Sequence, residues 1–271
     1  MRLAVTVAPV DAERAVAEAC PALGAGCRHG VAPGGEAVLD FWVAEGEADP
    51  DGLAALLAAA GVAARVEARP EDDGWRNALR EFHRPVEIAG RLRVRPPWAP
   101  SRPPLLDVAV DPGMAFGTGQ HATTRSCLEL LVGLAGEAPG VSALDAGCGS
   151  GVLAIAARRL GLEPVWAVDA DPLCVEATLA TGRRNGVGLR VARRTVGADR
   201  LPAADVVLAN LTGGLLRALA AALPEPVPRA LVASGIRPEE APGVEGAMGE
   251  RGFRVARRLD AEGWSTLLLA R

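Results

Sequence analysis

Hydrophobic and polar positions first divide the chain into short periodic segments. Leu3–Val7 reads as a strand, and Asp11 can cap a helix running through Arg14 to about Leu23. A Gly-rich turn at Pro33-Gly34-Gly35 precedes Glu36–Val43, whose alternation fits a second strand. Asp51 can cap a helix through Leu53, Leu56 and Leu57, and Ala64–Ala68 reads as a further strand. One more strand within Gly26–Val31 completes the order βαββαβ. Residues 71–104 break the pattern: EDDGWRNALREF predicts a short helix, and the five prolines between Pro96 and Pro104 forbid a long regular element.

From about residue 105 strands and helices alternate. Strands are predicted at Leu106–Val110, Val141–Leu144, Val165–Val168, Leu189–Ala192, Val206–Leu208, Ala230–Ala233, Phe253–Arg257 and Ser265–Leu269. Helical stretches such as Val152–Leu160 and Leu215–Leu223 lie between most of them. Such alternation predicts a parallel sheet covered on both faces. Only Arg258–Trp264 separates the last two strands, too short for a crossover helix, so they should pair as an antiparallel hairpin. The expected organisation is a small ferredoxin-like α+β domain over 1–70, a connector over 71–104 and an α/β domain over 105–271. The α/β domain should hold a mostly parallel seven-stranded sheet ending in the hairpin. This pattern resembles the Rossmann-like class I methyltransferases. The Pro-rich part of the connector reads as a semi-rigid linker, and its arginines as a solvated face or a basic surface for a partner.

Composition narrows the function classes. The 271 residues carry a net charge of −4, and all 29 basic residues are Arg. That balance argues against broad, charge-driven nucleic-acid binding, while a local Arg patch stays compatible with it. The longest apolar run, Leu53–Ala64, is about half of what a membrane span requires. The start of the chain reads as neither a signal peptide nor an anchor. Five Cys without CxxC spacing and three scattered His predict reduced thiols, a cytoplasmic setting and no metal site.

Four segments carry chemistry. In LDAGCGSGVLAIAA a strand runs through Asp145 into Gly147-Cys148-Gly149-Ser150-Gly151 and then a helix. Glycines there permit a tight turn and close approach of backbone to a ligand. Val152 stands where a dinucleotide fingerprint needs its last glycine, and no nucleoside-triphosphate loop is present. Asp169, ending the next strand, can accept hydrogen bonds from ribose hydroxyls, while Asp171 before Pro172 reads as a helix cap. Asn210 leaves an apolar strand toward the same crevice, with its amide carbonyl available to an amine. The fourth segment, DPGMAFGTGQHATT, predicts a turned or mobile loop before a helix opening at Thr123 or Thr124. His121 reads there as a surface or packing histidine, with a catalytic base as the alternative.

MAFGTGQHATT, LDAGCGSGVLAIAA, VDADP and VLANL, in this order, resemble the bacterial ribosomal protein L11 methyltransferase family. The resemblance covers about 105–271 well. It covers Trp75, Arg80, Arg84-Pro85, Arg91–Val94 and Trp98 more loosely, and Leu79 stands where members often have a second Trp. The first 70 residues match mainly in their βαββαβ outline. The resemblance implies S-adenosylmethionine as methyl donor, leaving S-adenosylhomocysteine. It implies transfer to lysine ε-amines and the N-terminal α-amine of ribosomal protein L11, the partner read by the N-terminal domain. It assigns the cofactor to Thr124, Gly147, Asp169 and Asn210, and by position to Asp145 and Gly149. Neither a membrane nor strong direct nucleic-acid binding is expected. The mechanism expected is orientation of a neutral amine by Asn210 without a dedicated base, under a loop closed by Phe116.

Overall fold

A computed structural model describes residues 2–23, 27–43, 49–69, 83–112, 119–137 and 140–271. The chain divides into two compact units, Met1–Leu79 and Arg80–Arg271. The helix predicted within 71–82 and the Phe116 loop lie outside the described residues.

In the first unit, β1 (Arg2–Val7), α1 (Ala12–Leu23), β2 (Cys27–Val31), β3 (Ala37–Trp42), α2 (Pro50–Ala59) and β4 (Ala64–Arg69) follow the βαββαβ order. The sheet order is β2-β3-β1-β4 with antiparallel neighbours, the split βαβ arrangement. Leu3, Val5 and Val7 are spaced two apart and join Leu39, Phe41, Leu53 and Leu57 in one buried cluster. Helix α2 starts earlier than predicted. Asp49, not Asp51, is the cap: its Oδ1 accepts from Gly52 N–H at 2.9 Å, and Pro50 takes the first helical position, where a missing N–H costs nothing.

In the second unit, β5 (Val86–Ile88), β6 (Leu92–Arg95) and β7 (Leu106–Ala109) form a sheet of their own. Two expectations are corrected here. The strand at Leu106 pairs with β6, not with the main sheet. The Pro-rich stretch joins β6 to β7 inside one unit and so links no domains. Its flanking arginines are used internally: Arg93 Nη1 reaches Pro100 O at 2.8 Å and Asp107 Oδ1 at 3.3 Å, and Arg95 Nη1 reaches Ala99 O at 2.8 Å.

The main sheet comprises β8 (Ala143–Ala146), β9 (Val165–Asp169), β10 (Arg190–Arg193), β11 (Val206–Asn210), β12 (Ala230–Ile236), β13 (Arg254–Ala261) and β14 (Trp264–Ala270). Its order is β10-β9-β8-β11-β12-β14-β13, parallel from β10 to β12 and antiparallel at β14 and β13. The expected mostly parallel seven-stranded sheet with a terminal hairpin is thus what forms. The hairpin is tighter than predicted, turning on Glu262-Gly263, both with positive φ. Helices α3 (Ala122–Glu137), α4 (Val152–Arg159), α5 (Pro172–Arg184), α6 (Gly213–Ala222) and α7 (Ala241–Gly249) cover the faces.

Alternate residues of each central strand feed opposite cores. Ala143, Val206, Leu208 and Val232 pack with α3 and α4, whereas Leu144, Val207, Ala209 and Leu231 pack with α6 and α7. This is why these strands are apolar at successive positions instead of alternating. No helix of the described residues is long and apolar enough to cross a membrane.

The strand order reverses between β8 and β11, so the ligand crevice of such a sheet belongs at their carboxyl ends. Gly235 fixes that end of β12. Its φ is +86°, and a Cβ there would lie 2.5 Å from the Leu211 carbonyl oxygen, in the residue following β11. Gly235→Ala should cost about 1–2 kcal/mol for the left-handed backbone alone, and more for displacing Leu211. Urea unfolding should show a lowered midpoint; an unchanged midpoint would mean that this approach does not constrain the strand ends.

Candidate functional site

The turn from β8 into α4 is built by hydrogen bonds from the neighbouring strand. Gly147 N–H and Cys148 N–H both donate to Val168 O, at 2.8 and 3.0 Å, and Gly149 N–H donates to Asp169 Oδ2 at 3.0 Å. The other Asp169 oxygen accepts from Asp171 N–H at 3.0 Å. Gly147 and Gly151 have φ of +79° and +80°. A Cβ on Gly151 would lie 2.9 Å from Thr178 Cγ2 and 3.2 Å from Thr178 Cα, so no side chain fits between α4 and α5.

Asn210 ends β11 across the crevice. Its Nδ2 donates to Thr123 Oγ1 at 3.1 Å, and that hydroxyl lies 2.8 Å from His121 Nδ1. The His121 ring packs edge-on against Trp264, with centroids 5.2 Å apart, and Arg237 lies over the Trp264 ring at 4.1 Å. The start of α3, the end of β11 and the start of β14 are therefore tied together.

Between these walls lies a cavity of about 310 Å³, lined by Thr124, Gly147, Gly149, Asp169, Asn210 and the apolar Val152, Leu153, Leu211 and Leu215. Its size and its mostly apolar lining with a few polar groups suit a small organic ligand. Thr124 Oγ1 is buried and has no hydrogen-bond partner among the described residues. An orphaned hydroxyl, a carboxylate held by backbone, and a turn with no Cβ in its way fit a nucleoside carrying a polar tail.

The family comparison agrees with this geometry. The model of the ribosomal protein L11 methyltransferase (PrmA) family matches residues 53–271. The chain belongs to this family. It is 40% identical over 233 residues to a ribosomal protein L11 methyltransferase of Pelotomaculum thermopropionicum, covering 81% of this chain and 73% of that one. Against the Methylococcus capsulatus relative it is 39% identical over 199 residues, covering 72% and 67%. A solved ribosomal protein L11 methylase from Lactobacillus delbrueckii subsp. bulgaricus superposes with a TM-score of 0.62 at 28% identity, covering 70% of this chain and 99% of that one. Membership makes the chain a methyltransferase of the Rossmann-like class I fold.

For this family member, five of the six residues singled out from sequence (Thr124, Gly147, Gly149, Asp169 and Asn210) line one cavity. Asp145 does not. It is buried at 1% exposure behind the turn, where its Oδ2 accepts from Ala154 N–H at 3.0 Å in the first turn of α4. It stands inside β8, one residue short of the strand's end, so it braces the helix from beneath. Sequence reasoning missed Leu211 and Leu215. Leu215, 42% exposed at the start of α6, is an apolar side chain that core packing does not explain. It also missed Thr123 as the partner of Asn210, a contact across 87 positions. Cys148 is no nucleophile: burial pushes its thiol far up, and the thiol accepts from Thr178 Oγ1 at 3.2 Å. Among the described residues no cluster of His, Cys, Asp or Glu could hold a metal.

Burial also pushes the Asp145 carboxyl up to about 7, with the charge of Asp169 adding to it. The unfolded carboxyl titrates near about 3.9. The native state therefore holds a proton that the unfolded chain has released between about pH 4 and about pH 7, and stability should fall as pH rises through this window. The fall amounts to a few kcal/mol, because each pH unit separating the folded and unfolded values is worth about 1.4 kcal/mol. Asp145→Asn should flatten it. Urea unfolding across the window measures the fall; equal slopes in both proteins would show that Asp145 is ionised throughout.

Proposed function

We propose that the enzyme transfers methyl groups from S-adenosylmethionine to amino groups of ribosomal protein L11, its lysine ε-amines and N-terminal α-amine, in the cytoplasm. The observation that carries this reading is the placement of Asn210 across one cavity from the glycine turn and Asp169. Bound there, the cofactor supplies an electrophilic sulfonium methyl.

The chain supplies alignment. Each Asp169 oxygen accepts one backbone N–H and keeps lone pairs for the ribose hydroxyls. Gly147 and Gly149 let backbone lie close against the cofactor, and the Thr124 hydroxyl gains the partner it lacks. Val152, Leu153, Leu211 and Leu215 keep water out. With the amide nitrogen of Asn210 committed to Thr123, its Oδ1 is the atom left to accept from an incoming amine.

A lysine amine, with a reference pKa of about 10.4, must shed its proton before attack. Desolvation in the apolar crevice favours the neutral form. Among the described residues no His, Lys or Tyr lines the cavity, so the reading assigns no dedicated base, and His121 serves as the outer partner of Thr123.

The acceptor is the finer part of the proposal. The family match begins at residue 53, so most of the first unit lies outside it. A related methyltransferase acting on another protein, an RNA or a small molecule is the second reading. The deciding experiment mixes the full chain, S-adenosylmethionine and unmethylated ribosomal protein L11 and records intact mass. Increments of one CH2 each, located by fragmentation to amines, are expected. Cofactor binding without any mass change would reject this acceptor and leave the methyltransferase assignment standing.

Two substitutions test the site. Asn210→Ala should lower turnover by about 10- to 100-fold at saturating cofactor, the worth of one hydrogen bond orienting the amine; wild-type turnover would remove Asn210 from the reaction. Thr123→Val should cost roughly tenfold or less by freeing the Asn210 amide, and Thr123→Ser should restore it. Equal activity of the valine and serine variants would make the hydroxyl irrelevant.

A further inference from the structure

A second cavity in the second unit is larger than the crevice. About 480 Å³ in volume, it is lined by Trp166, Ala192, Arg194, Arg200, Leu201 and Pro224. It exists because one crossover lacks a helix. Helices α4, α5 and α6 fill the connections from β8 to β9, β9 to β10 and β11 to β12, while residues 194–205, between β10 and β11, contain none. On the face that carries α6 and α7, the outer strands are therefore closed only by that loop. Trp166, Ala192 and Val196 sit half-buried at the margin of the core beneath it.

This margin is strongly basic. Six of the 29 basic residues, and one of the 33 acidic ones, fall between Arg183 and Arg200. Arg190, Arg193, Arg194 and Arg200 are exposed, and none makes an ion pair among the described residues. Arg190 lies over the Trp166 ring at 5.4 Å. Arg193 Nε donates to Ala170 O at 2.9 Å and Arg194 Nη1 to Arg193 O at 3.0 Å, contacts that orient the guanidinium groups without neutralising them. The two acidic residues at the groove are engaged: Asp199 accepts from Thr195 N–H at 2.7 Å, and Glu225 pairs with Arg251 at 3.3 Å.

Charges on an edge strand such as β10 also deter unwanted strand pairing. That accounts for Arg190 and Arg193, not for Arg194 and Arg200 converging on a groove beside a tryptophan. Uncompensated guanidinium forks match phosphate oxygens, and an aromatic ring beside them matches a nucleobase. An acidic protein segment would satisfy the charges and leave the groove unfilled. We propose that this edge binds single-stranded RNA, with phosphates on Arg193, Arg194 and Arg200 and a base in the groove beside Trp166. It is a local surface, which the net negative charge of the chain does not oppose.

The test uses the full chain and a fluorescein-labelled single-stranded RNA oligonucleotide of mixed sequence, followed by fluorescence anisotropy over a series of sodium chloride concentrations. Binding should weaken linearly on a log–log plot. In Arg194→Ala/Arg200→Ala the slope should become shallower by about 1.4, at about 0.7 for each phosphate of a single strand that is no longer neutralised. Arg194→Lys/Arg200→Lys should keep the wild-type slope. Both variants should methylate acceptor at the wild-type rate, because neither residue lines the crevice. Three results would overturn the proposal: no binding at low salt, an alanine variant with the wild-type slope, or displacement of the RNA by a polyglutamate peptide at equal charge concentration. The last would give the surface to an acidic protein segment.

Discussion

Everything at the crevice hangs on the way the end of β9 holds the turn that follows β8. One carbonyl, Val168 O, takes two successive N–H groups of the turn, and the Asp169 side chain takes a third. The same two residues thus close the glycine turn and present the carboxylate. Pairing β8 with β9 in parallel register, Ala146 beside Val168, brings them level. The apolar continuity of both strands sets that register, because each is buried on both faces. A slip by one residue would send Leu144 and Val168 into the wrong core and carry Asp169 away from Gly149. The packing of the sheet and the geometry of the site are in this sense one constraint.

The opposite wall obeys a different logic. Asn210 is placed by β11, but its amide is oriented from α3 through Thr123 and His121, and His121 is seated on the terminal hairpin through Trp264. The hairpin turn at Glu262-Gly263 puts Trp264 at the head of β14, beside that contact. An antiparallel hairpin at the edge of a parallel sheet therefore helps to support the crevice as well as closing the core.

These two walls were unequally legible in the sequence. The glycine turn and Asp169 are local: spacing, strand–loop–helix context and one acidic residue at a strand end suffice to place them. The βαββαβ unit and the order of elements in the α/β unit are legible for a similar reason, since periodicity reports directly which faces are buried. What escaped was set by distant partners. Strands β5 and β6 are short, and the Arg-rich β6 is held to β7 through Arg93 and Arg95, which both pair with Asp107. Asp145 shares a motif with Gly147 yet lies inside β8, where its side chain meets the first turn of α4, whereas Gly147 stands in the turn beyond the strand. The contact of Thr123 with Asn210 and the groove beneath the helix-free crossover both depend on chain brought together only by the completed sheet.

Several departures from good packing gather at the crevice. Gly147 and Gly151 hold backbone that no side-chain-bearing residue adopts easily, Thr124 keeps a buried hydroxyl without a partner, and Asp145 has one oxygen buried and unpaired. Each lowers stability, and a core free to choose would replace them with alanine, valine and leucine, as it does elsewhere along β8 and α4. A ligand that brings hydroxyls, a polar tail and positive charge would satisfy Thr124 and lie against the turn. Its ribose hydroxyls would be met by the Asp169 carboxylate, which the turn already holds in place. The stability withheld from the free crevice is then returned on binding, which is how a preorganised site differs from a packing defect.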